Sequence, residues 1–138
     1  LLKEEEKIYD LVMAIDVFEH VEDYFGFLRK LKEKGKYKLF HIPLDLSVQS
    51  VLRSSPILKS RFKYGHIHYF TKETALASLK DMGYEVLDYL YTSVSLDLPN
   101  RNGWKNSLLN VPRKVLFSIN QDLAARLLGR FSLLVLTK

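Results

Sequence analysis

The chain has 138 residues, a formal net charge of +5 and a pI near 9.3, with 47% hydrophobic residues, 27% charged residues and no cysteine. This is a globular composition of one-domain size, and it excludes a disordered tail, a disulfide-stapled scaffold and a thiolate metal site. No apolar run nears the roughly 18 residues of a spanning helix, and Leu1-Leu2-Lys3-Glu4-Glu5-Glu6-Lys7 has the wrong charge order for a secretory signal, so a cytoplasmic protein with a basic surface is expected.

Ile8 to Ile15 is nearly continuous in apolar residues, which predicts a central strand buried on both faces of a parallel sheet. From Val21 onward Phe25, Leu28 and Leu31 recur at helical spacing, with Glu22 and Asp23 at the positive end, Lys30, Lys32 and Lys34 at the other, and Gly35 as the stop. Tyr37 to Ile42 predicts a second strand halted by Pro43, completing a strand-helix-strand unit with a right-handed crossover. Asp45 to Arg53 predicts a short helix broken at Ser54-Ser55-Pro56, followed by a basic loop from Lys59 to Tyr64. In that loop Lys59, Arg61 and Lys63 suit a solvated surface with Phe62 as its one anchor. Thr71 then caps a helix whose Leu76, Leu79 and Met82 share a face, and Gly83 closes it. Tyr84 to Thr92 predicts a third strand, with Val86, Asp88 and Leu90 on one face and Leu87, Tyr89 and Tyr91 on the other. Leu96 to Asn110 is turn-rich. The basic amphipathic stretch from Pro112 to Gly129 breaks at Asn120-Gln121-Asp122 and suits a packed helical insertion, and Phe131 to Thr137 predicts the last strand.

Asp16-Val17-Phe18-Glu19-His20-Val21 crowds two carboxylates and an imidazole at the end of the first strand, where open α/β sheets place ligands. His20 can take a proton from a hydroxyl or amine, with Glu19 steadying its cation. Asp16 can bind a cationic group or cap the following turn. If His66 and His68 lie on an extended segment, they point the same way, and either can face the cleft. Trp104 is either a candidate wall of a binding pocket or a structural clasp.

Three blocks in order, D-L-V-M-A-I-D-V-F-E-H-V with F-L-R-K-L, then G-K-Y-K-L-F-H-I-P-L, then G-H-I-H-Y-F-T-K-E-T with D-M-G-Y-E-V, resemble the class I, Rossmann-like S-adenosylmethionine-dependent methyltransferases of the general small-molecule branch. The resemblance implies the C-terminal half of that fold: parallel strands four, five and six, and an antiparallel last strand slotted between the fifth and sixth, flanked by helices. It implies residues 1–138 as one partial domain with an insertion over 93–130, and S-adenosylmethionine as cofactor. It places Ile15, Asp16 and Val17 on the cofactor wall, His20 as the catalytic base, and His68 and Tyr69 against the acceptor. The family's first strand, glycine-rich turn and ribose-binding acid have no counterpart, since the six glycines form no G-x-G. The implied function is therefore methyl transfer to an O or N of a small molecule, with this chain as the acceptor-side half and inactive alone.

That reading carries no metal and no DNA partner, and it leaves the first strand's edge free to pair with a second copy. Two alternatives stand beside it. Asp16-x-x-Glu19-His20 with His68 resembles the metal-ligand set of metal-dependent small-RNA 2′-O-methyltransferases, whose oxygen and imidazole ligands suit Mg or Mn. The other alternative is a non-catalytic interaction module derived from a methyltransferase.

Overall fold

The computed structural model describes residues 8–93 and 103–138, with side chains from 111 onward in the second stretch. β1 (Tyr9–Ile15) and β2 (Gly35–Leu44) pair in parallel, from Tyr9 opposite Gly35 to Ile15 opposite His41, and helix α1 (Tyr24–Lys32) makes the crossover. β4 (Phe131–Thr137) lies between β2 and β3 (Val86–Thr92), antiparallel to both, so the sheet order is β1-β2-β4-β3. The result is the α/β arrangement expected from the sequence, a mixed sheet flanked by helices.

Local chemistry accounts for most element ends. Asp23 starts α1 by accepting the Gly26 N–H at 2.8 Å. Ser47 and Ser50 form a reciprocal capping box at α2 (Val48–Arg53), and Thr71 and Thr74 form another at α4 (Lys72–Asp81). Asn120 caps α6 (Gln121–Leu128) and separates it from α5 (Gly103–Ile119), where the sequence predicts a break. Gly83, at φ +77°, ends α4 in the left-handed region that glycine enters without strain.

Several expectations are corrected. Gly35 opens β2 rather than closing α1, and a Cβ there would lie 2.6 Å from the Val12 side chain. β2 runs through Pro43 to Leu44 because β4 offers Ser132 and Phe131 as partners at those two positions. The expected loop after residue 53 is helical: α3 (Ser55–Lys59) continues into a π-helical turn, Ser60–Tyr64, and Phe62 is exposed instead of anchoring it. A register shift between Val86 and Asp88 places Val86 opposite Thr137 on the core side with Tyr89 and Tyr91, not with Asp88 and Leu90. α5 begins at Gly103, so part of the expected turn-rich connection is helix. Residues 94–102 and the Trp104 side chain lie outside the described residues.

The core fills one face of the sheet. Phe40, Ile42, Leu133 and Val135 meet Leu28 and Leu31 of α1 and Ala75 and Leu79 of α4, and all of these are buried. Aromatic edges lock the layers: Phe18 meets Phe40 at 6.1 Å and Phe70 at 5.1 Å, and Phe40 meets Tyr84 at 5.3 Å. On the other face Leu11 (47% exposed), Met13 (58%) and Leu90 (52%) continue the row of Leu39, Leu134 and Leu136, and among the described residues this apolar surface stays open. Among the described residues β1 is therefore at the edge of the sheet with one open face, where its composition predicts a doubly buried central strand.

The Tyr84 hydroxyl is buried and donates to the Leu28 carbonyl at 2.7 Å, tying the end of α4 to α1. Tyr84→Phe is expected to lower the unfolding free energy by about 1 kcal/mol, since it removes a buried hydrogen bond from a carbonyl that keeps its helical partner. Urea denaturation of both chains measures the difference.

Candidate functional site

The segment following β1 is a single 3₁₀ turn, Phe18–His20, reached through Asp16 at φ +49°, a left-handed conformation that Asp tolerates better than most residues. Phe18 is the turn's anchor. Its full burial in the aromatic core draws Glu19 beneath the surface as well, to 0% exposure, while His20 points outward. The Glu19 backbone carbonyl accepts from the N–H groups of Ile67 (2.9 Å) and His68 (3.1 Å), which pins the segment after the π turn against this strand end.

Four ionisable side chains meet there. His20 donates from Nδ1 to the Gly65 carbonyl at 3.1 Å, and its Nε2 lies 3.7 Å from Glu19 Oε1. His66 donates from Nδ1 to Asp45 Oδ2 at 2.5 Å, and Asp45 is steadied in turn by the Ser60 hydroxyl at 3.0 Å. The two imidazole rings sit edge to face with centroids 4.9 Å apart. Both have one nitrogen fixed as a donor, which leaves the other as a lone pair in the neutral ring.

Glu19 is the unusual member. Both of its carboxylate oxygens are buried without a hydrogen bond. Burial is the largest influence on this carboxyl and, with the charges of Asp16 and Asp45, pushes its pKa from 4.5 to about 7, against the pull of its own backbone N–H, which lies outside hydrogen-bond geometry, and of His66.

A second cluster sits at the tip of β1. Asp16 Oδ1 accepts from His41 Nδ1 at 2.7 Å, and His41 Nε2 meets the Thr92 hydroxyl at 2.8 Å. The Asp16 carboxylate thus does not cap the turn; it bridges toward β2 and remains half exposed. Ile15 and Asp16 are exposed beside it and Val17 is half-buried, so these three residues form a continuous ledge at the strand end.

His68 and Tyr69 are engaged by the chain itself. His68 Nε2 faces the carbonyls of Val21 (2.9 Å) and Glu22 (3.3 Å), and the Tyr69 hydroxyl donates to the His66 carbonyl at 3.1 Å. Asp16, Glu19, His20 and His68 are therefore not gathered as one set; His66 is the histidine that joins Glu19 and His20. The sequence reading missed the Asp45 partner of His66 and the His41–Asp16 pair. Beyond Asp45 opens a cleft of about 500 Å³, lined among others by Ser47, Arg53, Lys59, Ser60 and Arg130.

A parallel strand pair joined by a crossover helix, with an antiparallel strand inserted farther along the sheet, is a Rossmann-like α/β arrangement. The chain belongs to the methyltransferase-domain family, whose sequence profile matches residues 2–89. Solved structures agree in fold. A SAM-dependent methyltransferase from Archaeoglobus fulgidus superposes with a TM-score of 0.53 at 20% identity, covering 96% of this chain and 60% of its own. An S-adenosylmethionine-dependent methyltransferase from Mesorhizobium loti gives 0.55 at 13% identity, covering 100% of this chain and 65% of its own. A SAM-dependent methyltransferase from Thermotoga maritima, described as a possible histamine N-methyltransferase, gives 0.55 at 15% identity, covering 94% and 56%. The chain thus spans less than two thirds of the length of each of these structures. A search of curated proteins found no match. Among the described residues no helix is long and apolar enough to cross a membrane.

Between pH 4.5 and about 7 the folded chain keeps the Glu19 proton that the unfolded chain releases, so stability falls as pH rises through this window and levels above it. The shift corresponds to about 3 kcal/mol. Glu19→Gln removes the titration, and urea denaturation at pH 4.5 and 7.5 in a chelator is expected to show a correspondingly smaller loss for the variant.

Proposed function

We propose that this chain is the acceptor-side half of an S-adenosylmethionine-dependent methyltransferase that acts on an oxygen or nitrogen of a small molecule, and that it is inactive alone. The observation that carries this reading is the ledge Ile15-Asp16-Val17 at a parallel strand's end, directly beside an outward imidazole with a free lone pair. S-adenosylmethionine supplies an activated methyl group on a sulfonium. The ledge fits one side of that cofactor: Ile15 offers an exposed apolar surface and Asp16 a half-exposed carboxylate for a cationic group.

His20 is the proposed base. Its Nδ1 proton is held by Gly65, so Nε2 is the atom that receives the acceptor's proton, and the Glu19 carboxylate 3.7 Å away stabilises the cation formed. Most of the acceleration comes from alignment of the acceptor, to which a base adds when the acceptor is an alcohol. His68 and Tyr69 are the proposed acceptor-side residues, and their polar atoms also hold the returning segment that carries His66. The Thermotoga structure's description as a possible histamine N-methyltransferase supports a small amine among the acceptor classes.

Two observations support the half-domain reading. The sequence has no G-x-G turn to bring backbone close to a cofactor, and the second face of the sheet is apolar and open among the described residues. Calorimetric titration with S-adenosylmethionine is expected to give no saturable heat with the 138-residue chain and clear binding with a version extended upstream through a glycine-rich strand and turn. Absence of binding by both overturns the reading.

The same open surface predicts self-association of the isolated chain through β1, because among the described residues no strand lies beyond β1 in the sheet and its Leu11 and Met13 side chains are exposed. Sedimentation velocity is expected to show a dimer that the combined Leu11→Lys and Met13→Lys substitutions convert to monomer. A monomeric parent chain contradicts the prediction.

A further inference from the structure

We propose that Glu19, His20 and His66 bind one divalent transition-metal ion, with the Gly65 carbonyl and the Asp45 carboxylate orienting the two imidazoles. One potential ligand atom from each of the three lies within 4.8 Å of the others. Ligand atoms on a shared ion at about 2.1 Å stand at most about 4.2 Å apart, so a small side-chain adjustment closes the set.

The outer contacts are those that a metal-binding histidine needs. A ligating imidazole donates its other N–H to a carbonyl or carboxylate, which fixes the tautomer and raises the basicity of the ligating nitrogen. His20 does so to Gly65 and His66 to Asp45, and the Ser60 hydroxyl anchors Asp45. The independent observation is Glu19: it is fully buried, neither oxygen has a hydrogen-bond partner, and Oε1 faces the Nε2 of His20 at 3.7 Å. A cation between these groups gives the buried carboxylate the partner it lacks. The His20 side chain is 36% exposed, which leaves a path from solvent.

Two imidazoles and one carboxylate favour Mn²⁺, Fe²⁺, Co²⁺ or Zn²⁺ over Mg²⁺ and Ca²⁺, which prefer all-oxygen shells. The site stands on geometry alone and does not depend on the methyl-transfer reading. Metal and proton compete for the Nε2 of His20, so the ion-loaded and ion-free chains use that atom differently.

The test is titration of the chelator-stripped 138-residue chain with Co²⁺ in the absence of S-adenosylmethionine, read by visible absorption and calorimetry. One equivalent is expected to bind with d–d absorption, and a large excess of Mg²⁺ leaves it in place. His66→Gln and Glu19→Gln are each expected to weaken binding at least tenfold, and Asp45→Asn about 10- to 100-fold. His41→Gln, whose ring lies outside the set, keeps the parent affinity. Circular dichroism confirms that each variant is folded, and the near-isosteric Glu19→Gln serves if a histidine variant is not. No saturable Co²⁺ binding overturns the proposal, as does binding that survives both His66→Gln and Glu19→Gln in folded chains. Failure here leaves the cofactor titration unaffected, so the two readings fall separately.

Discussion

The pair of backbone hydrogen bonds from Ile67 and His68 into the Glu19 carbonyl is the constraint on which the site depends. It joins the turn after β1 to a segment nearly fifty residues later, and it is dictated from below by Phe18. Once that ring is buried between Phe40 and Phe70, the next carbonyl is buried too and needs donors. Ile67 and His68 supply them. With the segment docked, the Gly65 carbonyl comes within reach of His20 and the His66 ring within reach of Asp45. Gly65 sits at φ +79°, and the chain turns there from the π-helical turn toward Glu19. The chemistry of the strand end is therefore a consequence of core packing one residue away.

Much of this fold is written locally. Strand β4 can be read residue for residue because its alternation is uninterrupted, and Asn120 and Thr71 are visible as caps because their side chains act within three residues. What could not be read depends on partners distant in sequence. Pro43 remains in a strand only because β4 lies alongside, and the shift at Leu87 that turns Val86 inward is set by pairing with Thr137 and Leu136. The site divides in the same way. Asp16, Glu19 and His20 stand out as a motif, whereas the pairing of His66 with Asp45 spans 21 positions and that of His41 with Asp16 spans 25. The spacing of His66 and His68 suggested a shared direction. Docking on Glu19 instead gives one ring to a carboxylate and the other to backbone carbonyls.

The sheet itself carries a second lesson. A parallel pair such as β1 and β2 is ordinarily covered on both faces, and the nearly continuous apolar sequence of β1 is the mark of that environment. Here helices α1 and α4 cover one face, while Leu11, Met13, Leu39, Leu134, Leu136 and Leu90 form an apolar row on the other. Contiguous apolar surface of this kind, open among the described residues, marks an interaction face. The Asp16-His41-Thr92 chain runs across the strand ends on this same side, linking β1, β2 and β3 at the ledge where ligands of open α/β sheets are bound. Whatever covers the open face therefore also borders the ledge.

Glu19 shows why such a site resists a purely structural explanation. A buried side chain serving only to fill space would be better as Leu, since an unpaired carboxyl in a dry setting costs stability whether it is ionised or holds its proton without an acceptor. The bonds from Ile67 and His68 go to the main chain and not to the side chain, so they do not call for a carboxyl here. A carboxyl held between two imidazoles of fixed tautomer is suited instead to gaining and losing positive charge nearby, whether that charge is a proton taken up by His20 or a metal ion shared among the three. Both uses require the same arrangement, a buried carboxyl facing the Nε2 of a partly exposed imidazole. The two differ in what arrives at the Nε2 of His20, and hence in how the site responds to pH and to chelation.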